Sequence, residues 1–221
     1  MSVTTPADDA RTVVVQAALE LFASQGFEAT SVDQIAKAAG ISRSTFFRQF
    51  GGKDDVVFAD HDAVLERLRT FLDRAHADPW EAICEASLIV YRHYLADPEL
   101  ARRRYTVVRQ VPTLRDREIV TVFRYERLFD EYLRRALPGI EPLTAVSFAA
   151  EVTAVHNHVL RQLLRGTKRI PTQTLRAALD DVLARFDVGP SPEGADDDVV
   201  VAVSPRRMPL AEVTRRLSAE L

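Results

Sequence analysis

A single cysteine, Cys84, stands among the 221 residues. One thiol rules out an intrachain disulfide and is too few for a thiolate zinc or iron–sulfur site, which fits a reducing compartment. No apolar run approaches the ~18 residues of a membrane span. The opening segment, Met1 to Asp9, has neither a basic stretch nor an apolar one, so no secretory signal is read there. The sequence is therefore expected to be cytoplasmic, with no membrane partner. Phosphate-binding glycine loops, G-x-S-x-G and H-E-x-x-H are all missing. Cys84 has no evident base, and His156 and His158 are two apart, a spacing that sends helical side chains to different sides where metal pairs sit three or four apart. We expect no enzyme, no metal and no cofactor. Positive charge is also short: the formal net charge is -3, so a polyanion could be held only by a local cluster.

Strand-like alternation is nearly absent before residue 199, and what is there is helical period. Ala10, Val13, Val14, Ala17, Ala18, Leu21 and Phe22 follow the i, i+3, i+4, i+7 rule and predict a first helix that Gly26 stops. Ser31 and Gln34 have the spacing of a capping box and open a second helix to about Ala39. Gly40 ends it, Ser42 caps again, and a third short helix spans about 43–49. A fourth starts near Lys53 and runs to about Ala75, with Val56, Val57, Leu65, Leu68, Phe71 and Leu72 on its apolar side. Asp78-Pro79 and Asp97-Pro98 each place a cap before a proline suited to the first helical turn. Further helices are predicted at about 98–109, 113–137, 143–165 and 172–186, divided by Pro112, Pro138-Gly139, Pro142 and Gly166 through Pro171. The expected fold class is all-α: a three-helix helix-turn-helix head over residues 1–52, then a larger helical ligand-binding and dimerisation domain over 53–187. Residues 188–221 are rich in glycine, proline and aspartate at their start and are expected to be a disordered or loosely docked tail.

The segment 143–165 has two apolar stripes, one through Leu143, Val146, Ala150, Leu160 and Leu164, the other through Phe148, Val152, Val155, Val159 and Leu163. A helix apolar on two sides is buried on two sides, either inside a large core or between its own domain and a partner subunit. Together with Leu175, Ala178, Leu179, Val182, Leu183 and Phe186, this predicts a homodimer joined through residues 143–186 as a four-helix interface.

Function is concentrated in the turn Ala39-Gly40-Ile41-Ser42, which joins two short helices as in a helix-turn-helix whose second member fits the major groove of B-DNA. On that helix Arg43 and Phe47, and Ser44 and Arg48, are four apart and share an outward face, while Phe46 and Phe50 share another that suits packing against the first helix and Ile35. Between residues 31 and 53 four cations, Lys37, Arg43, Arg48 and Lys53, face the single acid Asp33, which is the local basic cluster that the whole chain lacks. Ser31, Ser42 and Lys53 are placed for phosphate contacts. Arg43 can fork onto guanine O6 and N7, and the Thr45 methyl and Phe47 ring can meet a thymine methyl.

Ala17-Ala18-Leu19-Glu20-Leu21-Phe22, Gly26-Phe27, Thr30-Ser31-Val32, Ile35-Ala36, Ala39-Gly40-Ile41-Ser42, Thr45-Phe46-Phe47, Phe50 and Lys53 closely resemble the DNA-binding domain of the tetracycline-repressor (TetR) family over about residues 10–60. The resemblance implies a dimeric one-component transcription regulator, usually a repressor released from a near-palindromic double-stranded operator by a small molecule. It carries the family's DNA contacts onto Ser42, Arg43, Ser44, Phe47, Arg48 and Lys53, and more loosely onto Ser31 and Thr45. Two departures stand out. Phe47 replaces the family's common tyrosine, so ring contact remains and a phenolic bond to phosphate is lost. Gly51-Gly52 replaces a polar residue before the lysine, which loosens the cap of the fourth helix.

The effector is argued from weaker chemistry. Tyr91, Tyr94, Tyr105, Tyr125, Phe129 and Phe148, with Trp80, are candidates to line an apolar cavity with polar handles. Ten arginines lie between residues 102 and 135; one or two facing inward would favour an anionic effector such as a carboxylate or an acyl thioester of coenzyme A. The competing class is a helical module without an effector, either a sequence-tolerant architectural DNA binder or a protein-interaction domain.

Overall fold

Proline, aspartate and serine punctuate the chain, and the helices start where they stand. The computed structural model describes residues 6–166 and 168–186, with side chains from residue 11 onward. The expected tail, 188–221, lies outside the described residues, as does the side chain of Ala10. Among the described residues there are nine helices and no strand: α1 (Pro6–Gln25), α2 (Val32–Ala38), α3 (Arg43–Phe50), α4 (Lys53–Leu72), α5 (Pro79–Ala96), α6 (Pro98–Gln110), α7 (Pro112–Ala136), α8 (Pro142–Arg165) and α9 (Thr172–Arg185). Asp78 accepts from the Trp80 and Glu81 amides and Asp97 from that of Leu100. Each cap with its proline fixes a start and satisfies amides that the first turn leaves open. Val111 and Pro112 then bend the chain from α6 into α7 without any side-chain cap. No helix among the described residues is long and apolar enough to cross a membrane.

Two cores form. The first takes Val14, Val15, Ala18, Leu19 and Phe22 of α1, Ile35 and Ala36 of α2, Phe46 and Phe50 of α3, Val56 to Ala59 of α4, and Val107, Val108 and Leu114 from the α6–α7 corner. The second takes the rest of α4 from Val64 together with α5, α7, α8 and α9. Helix α4 therefore serves both, with its first two turns in one core and its last two in the other. The periodicity of α1 misplaces its buried face: Val15 and Leu19 are buried while Val13 is 50 % exposed. Nearly every position from Val13 to Phe22 is apolar, so two overlapping series both satisfy the helical rule. Contact with α4 and α6 selects between them.

The two-sided burial of α8 is supplied within the chain. Phe148, Val152, Val159 and Leu163 enter the second core, and Leu175, Leu179, Val182 and Leu183 of α9 close over it. Leu160 and Leu164, at the end of the other stripe, turn toward a cavity beside α6 and α7. What α8 leaves outside is Leu143, 67 % exposed, with Ala154, and the half-buried Val146 and Ala150.

Candidate DNA interface and effector cavity

The reading head is held by its caps. Ser31 accepts from the Gln34 amide at 3.2 Å and Gln34 Oε1 accepts from the Ser31 amide at 2.8 Å, the reciprocal box that its spacing predicts. Gly40 has φ +68°, a conformation that a side chain would strain, and it lets the chain turn within two residues from α2 to the cap of α3. Ser42 Oγ accepts from the Thr45 amide at 3.1 Å and donates to Thr45 Oγ1 at 2.8 Å. Its hydroxyl is spent on the cap, whereas Thr45 keeps its own hydroxyl proton. Phe46 and Phe50 are buried with ring centroids 5.2 Å apart. Their burial orients α3 and turns its other side outward.

On that side Arg43, Ser44, Phe47 and Arg48 are exposed, as are Ser31 and Ser42, while Thr45 is half-buried. Phe47 is 42 % exposed, a large ring open to solvent among polar side chains. Arg43 pairs with Asp33 at 2.6 Å and lies over the Phe47 ring, 5.3 Å from its centroid. An exposed pair of this kind is worth about 0–1 kcal/mol, so it aligns the guanidinium along α3 and yields easily to a base. Lys53 behaves differently. Its ammonium donates to the Phe27 carbonyl at 3.0 Å, lies 3.6 Å from Glu28 and stacks on the Phe27 ring. It clamps the α1–α2 connection onto α4, so its ammonium is already partly engaged before a phosphate is met. Gly52 caps α4 with no side-chain bond, as the paired glycines predict.

Behind the head, residues of α4 to α8 line a cavity. Four of the candidate aromatics, Tyr94, Tyr105, Tyr125 and Phe129, line it. Tyr91, Phe148 and Trp80 do not. Tyr91 is fully buried and donates to the Ile170 carbonyl at 3.0 Å. Phe148 packs edge-on against Trp80 and Phe186, with centroids 4.8 and 5.1 Å away. Both therefore serve the core.

The polar lining comes from residues that lie on apolar stripes. His61 of α4 bonds Tyr125 through Nδ1 and Tyr94 through Nε2, each at 3.2 Å. Burial pushes its pKa down to about 4 against the pull of Asp60. Next to it, Arg104 of α6 is buried and sits 2.7 Å from Asp60, which also bonds His93 at 3.0 Å. Burial by itself would raise the Asp60 carboxyl, but Arg104 and the His93 bond hold it well below the usual range. Across the cavity Ser87 bonds His156 Nδ1 at 3.0 Å, and burial lowers His156 to about 4. Burial also raises Cys84 to about 12, which makes it an inert core thiol. At the mouth Tyr105 accepts from Arg165 at 2.6 Å and from Arg109 at 3.1 Å. Among the described residues, no group of three histidines, cysteines or carboxylates converges on a metal position.

Residues 14–59 match the family model described as bacterial regulatory proteins, tetR family. The chain is 28 % identical to the transcriptional regulator named MftR of Mycobacterium tuberculosis over 173 residues, covering 77 % of this chain and 87 % of that one. It is 30 % identical to the HTH-type transcriptional regulator EthR of Mycolicibacterium smegmatis over 113 residues, 49 % of this chain and 52 % of that one. This chain belongs to the TetR family. A solved structure of NalD from Pseudomonas aeruginosa, described as the secondary repressor of a multidrug efflux pump, shares the fold with a TM-score of 0.55 at 23 % identity, covering 81 % of this chain and 96 % of that one. The TetR assignment makes the molecule a DNA-binding regulator of transcription, and its relatives are named as regulators rather than enzymes.

The TetR motif accounts for the head but is silent on the cavity, where reading by aromatics missed His61, Ser87, Arg104, Thr153 and His156. A usable signal was present. Arg104 falls three residues after Ala101 and three before Val107, and His156 falls four after Val152 and four before Leu160, so each puts a polar group on a stripe otherwise made of core residues. Of the ten arginines between 102 and 135, Arg104 is both buried and in the cavity wall. Asp60 already meets its charge, so it does not by itself call for an anion.

Proposed function

We propose that the protein is a dimeric repressor that a small molecule releases from a near-palindromic operator. Residues 1–52 form the reading head and 53–187 the effector and dimer part, with α4 shared between them. Two copies pair through the outer face of α8 and α9, where Leu143, Ala154, Ala177 and Ala184 are exposed, and set two α3 helices about 34–36 Å apart on successive major grooves. Arg43 reads a guanine edge, Phe47 and Thr45 meet a thymine methyl, and Ser44, Arg48 and the first-turn amides of α2 and α3 that the caps leave open hold phosphates.

The observation that carries the release step is the double duty of α4. Phe58 belongs to the head core and also lines the cavity, and His61, one turn on, lines it with its ring bonded to α5 and α7. A ligand that prefers a different arrangement of these groups shifts the first turns of α4, and with them the spacing of the heads. Coupling of about 1–3 kcal/mol is typical of such links.

The test begins with selection of binding sites from random duplexes using the full chain. A palindromic footprint is expected, and Arg43→Ala should weaken it and relax preference at one base pair. Ala154→Arg, at an exposed position, should give a monomer by sedimentation and lose cooperative half-site binding. Coating of DNA without sequence preference would replace this reading with that of an architectural binder.

A further inference from the structure

The formal charges of the cavity are matched: Glu118 in its wall, whose carboxyl burial raises, stands under the opposing pull of Arg161 and Arg109, and the deeper groups are paired or neutral. Arg104 is matched by Asp60 at 2.7 Å, and His61 and His156 are held neutral by burial. Three polar atoms in its wall are buried and make no hydrogen bond: Nε of Arg104, its Nη2, which has only the ion pair with Asp60, and Oγ1 of Thr153, on side chains more than nine-tenths buried. A neutral His61 ring has one N–H and one bare nitrogen, so between Tyr94 and Tyr125 it donates to one hydroxyl and accepts from the other. The hydroxyl that receives keeps its own proton to donate. Unspent donors therefore stand on several sides of a space otherwise walled by Val90, Val108, Phe129, Leu160 and Leu164. An added carboxylate would leave the interior with an unpaired negative charge, and an ammonium would find Arg104 facing it inside, Glu118 already countered by Arg161 and Arg109, and Arg165 at the mouth. Either is a buried charge without a counterion, which is costly. An oxygen acceptor on an uncharged body satisfies the open donors at no such cost.

From this juxtaposition we infer that the cavity takes an uncharged, mainly apolar ligand bearing carbonyl, ether or ester oxygens, which accept from Arg104, from the Thr153 hydroxyl and from the free tyrosine proton. The inference rests on the ligand-responsive reading above and gives it a chemical class; it replaces the anionic or acyl-thioester effector expected from arginine content.

Three probes of one skeleton test it on the full chain: 4-methylbenzophenone, 4-benzoylbenzoate and 4-benzoylbenzylammonium, which share a ketone and differ in charge. The neutral ketone should bind saturably and at least about tenfold more tightly than either charged probe. On irradiation it should attach to peptides of α5 to α8. Thr153→Val, nearly isosteric and so expected to fold, should weaken the neutral probe by about three- to tenfold. Tighter binding of the carboxylate or the ammonium, labelling away from the cavity, or no binding by any of the three would overturn the inference. Operator binding by the unliganded protein is measured alongside and separates the two readings. Its loss rejects the regulator, whereas neutral-probe binding that leaves the operator complex intact rejects only release by the ligand.

Discussion

The head and the cavity are built on opposite principles. In α2 and α3 the polar groups are caps, bonded within a few residues of themselves, and the outer face is left wet for a partner. Around the cavity the polar groups bond across helices far apart in sequence, His61 to Tyr125 and Ser87 to His156, and they are buried. The difference teaches where each region can afford to change. Surface groups on the head can be exchanged with loss of DNA binding and little loss of stability, whereas the polar groups behind it hold the fold and shape the ligand site together.

The comparison is broken most directly by attacking the buried charge. Asp60→Asn leaves Arg104 without its counterion and should destabilise the protein by about 3 kcal/mol or more, read as a fall in the urea midpoint. Phe46→Ala in the head core should cost about as much, near 3–4 kcal/mol, and shows that the head, too, depends on its buried ring. Arg43→Ala should leave the midpoint unchanged while weakening operator binding by about 1–3 kcal/mol; a matching loss of stability would show Arg43 to be structural.

Acid sharpens the contrast. His156 sits at about 4 when folded, below the ordinary value of 6.5, because burial disfavours its charge. The unfolded chain therefore takes up a proton at higher pH than the native one. The stability this represents is present above pH 6.5 and is lost as pH falls toward 4. His156 alone should contribute a loss of about 2 kcal/mol between pH 7.5 and 5, and His156→Gln should remove that part of the slope. The smallest effect is at the cap. Ser31→Ala should cost about 1 kcal/mol, and a larger loss would mean that the capping box also fixes the angle between α1 and α2.

Reading the chain without coordinates works where the cause of a structure is local. The caps at Ser31, Ser42, Asp78 and Asp97, the turn at Gly40 and the starts at Pro79, Pro98, Pro112 and Pro142 each involve groups within a few residues, so composition and spacing determine them. The same is true of the outward set Arg43, Ser44, Phe47 and Arg48, because a single short helix with two buried phenylalanines has only one other side. Tertiary packing alone decided which of the apolar residues of α1 turn inward, why Leu160 and Leu164 face a cavity rather than a partner, and which tyrosines line it while Tyr91 closes the core. It also decided that Arg104 meets Asp60 and that Lys53 clamps Phe27. Those outcomes depend on contacts between residues tens of positions apart, where helical periodicity says which residues share a face but not which neighbour that face will meet.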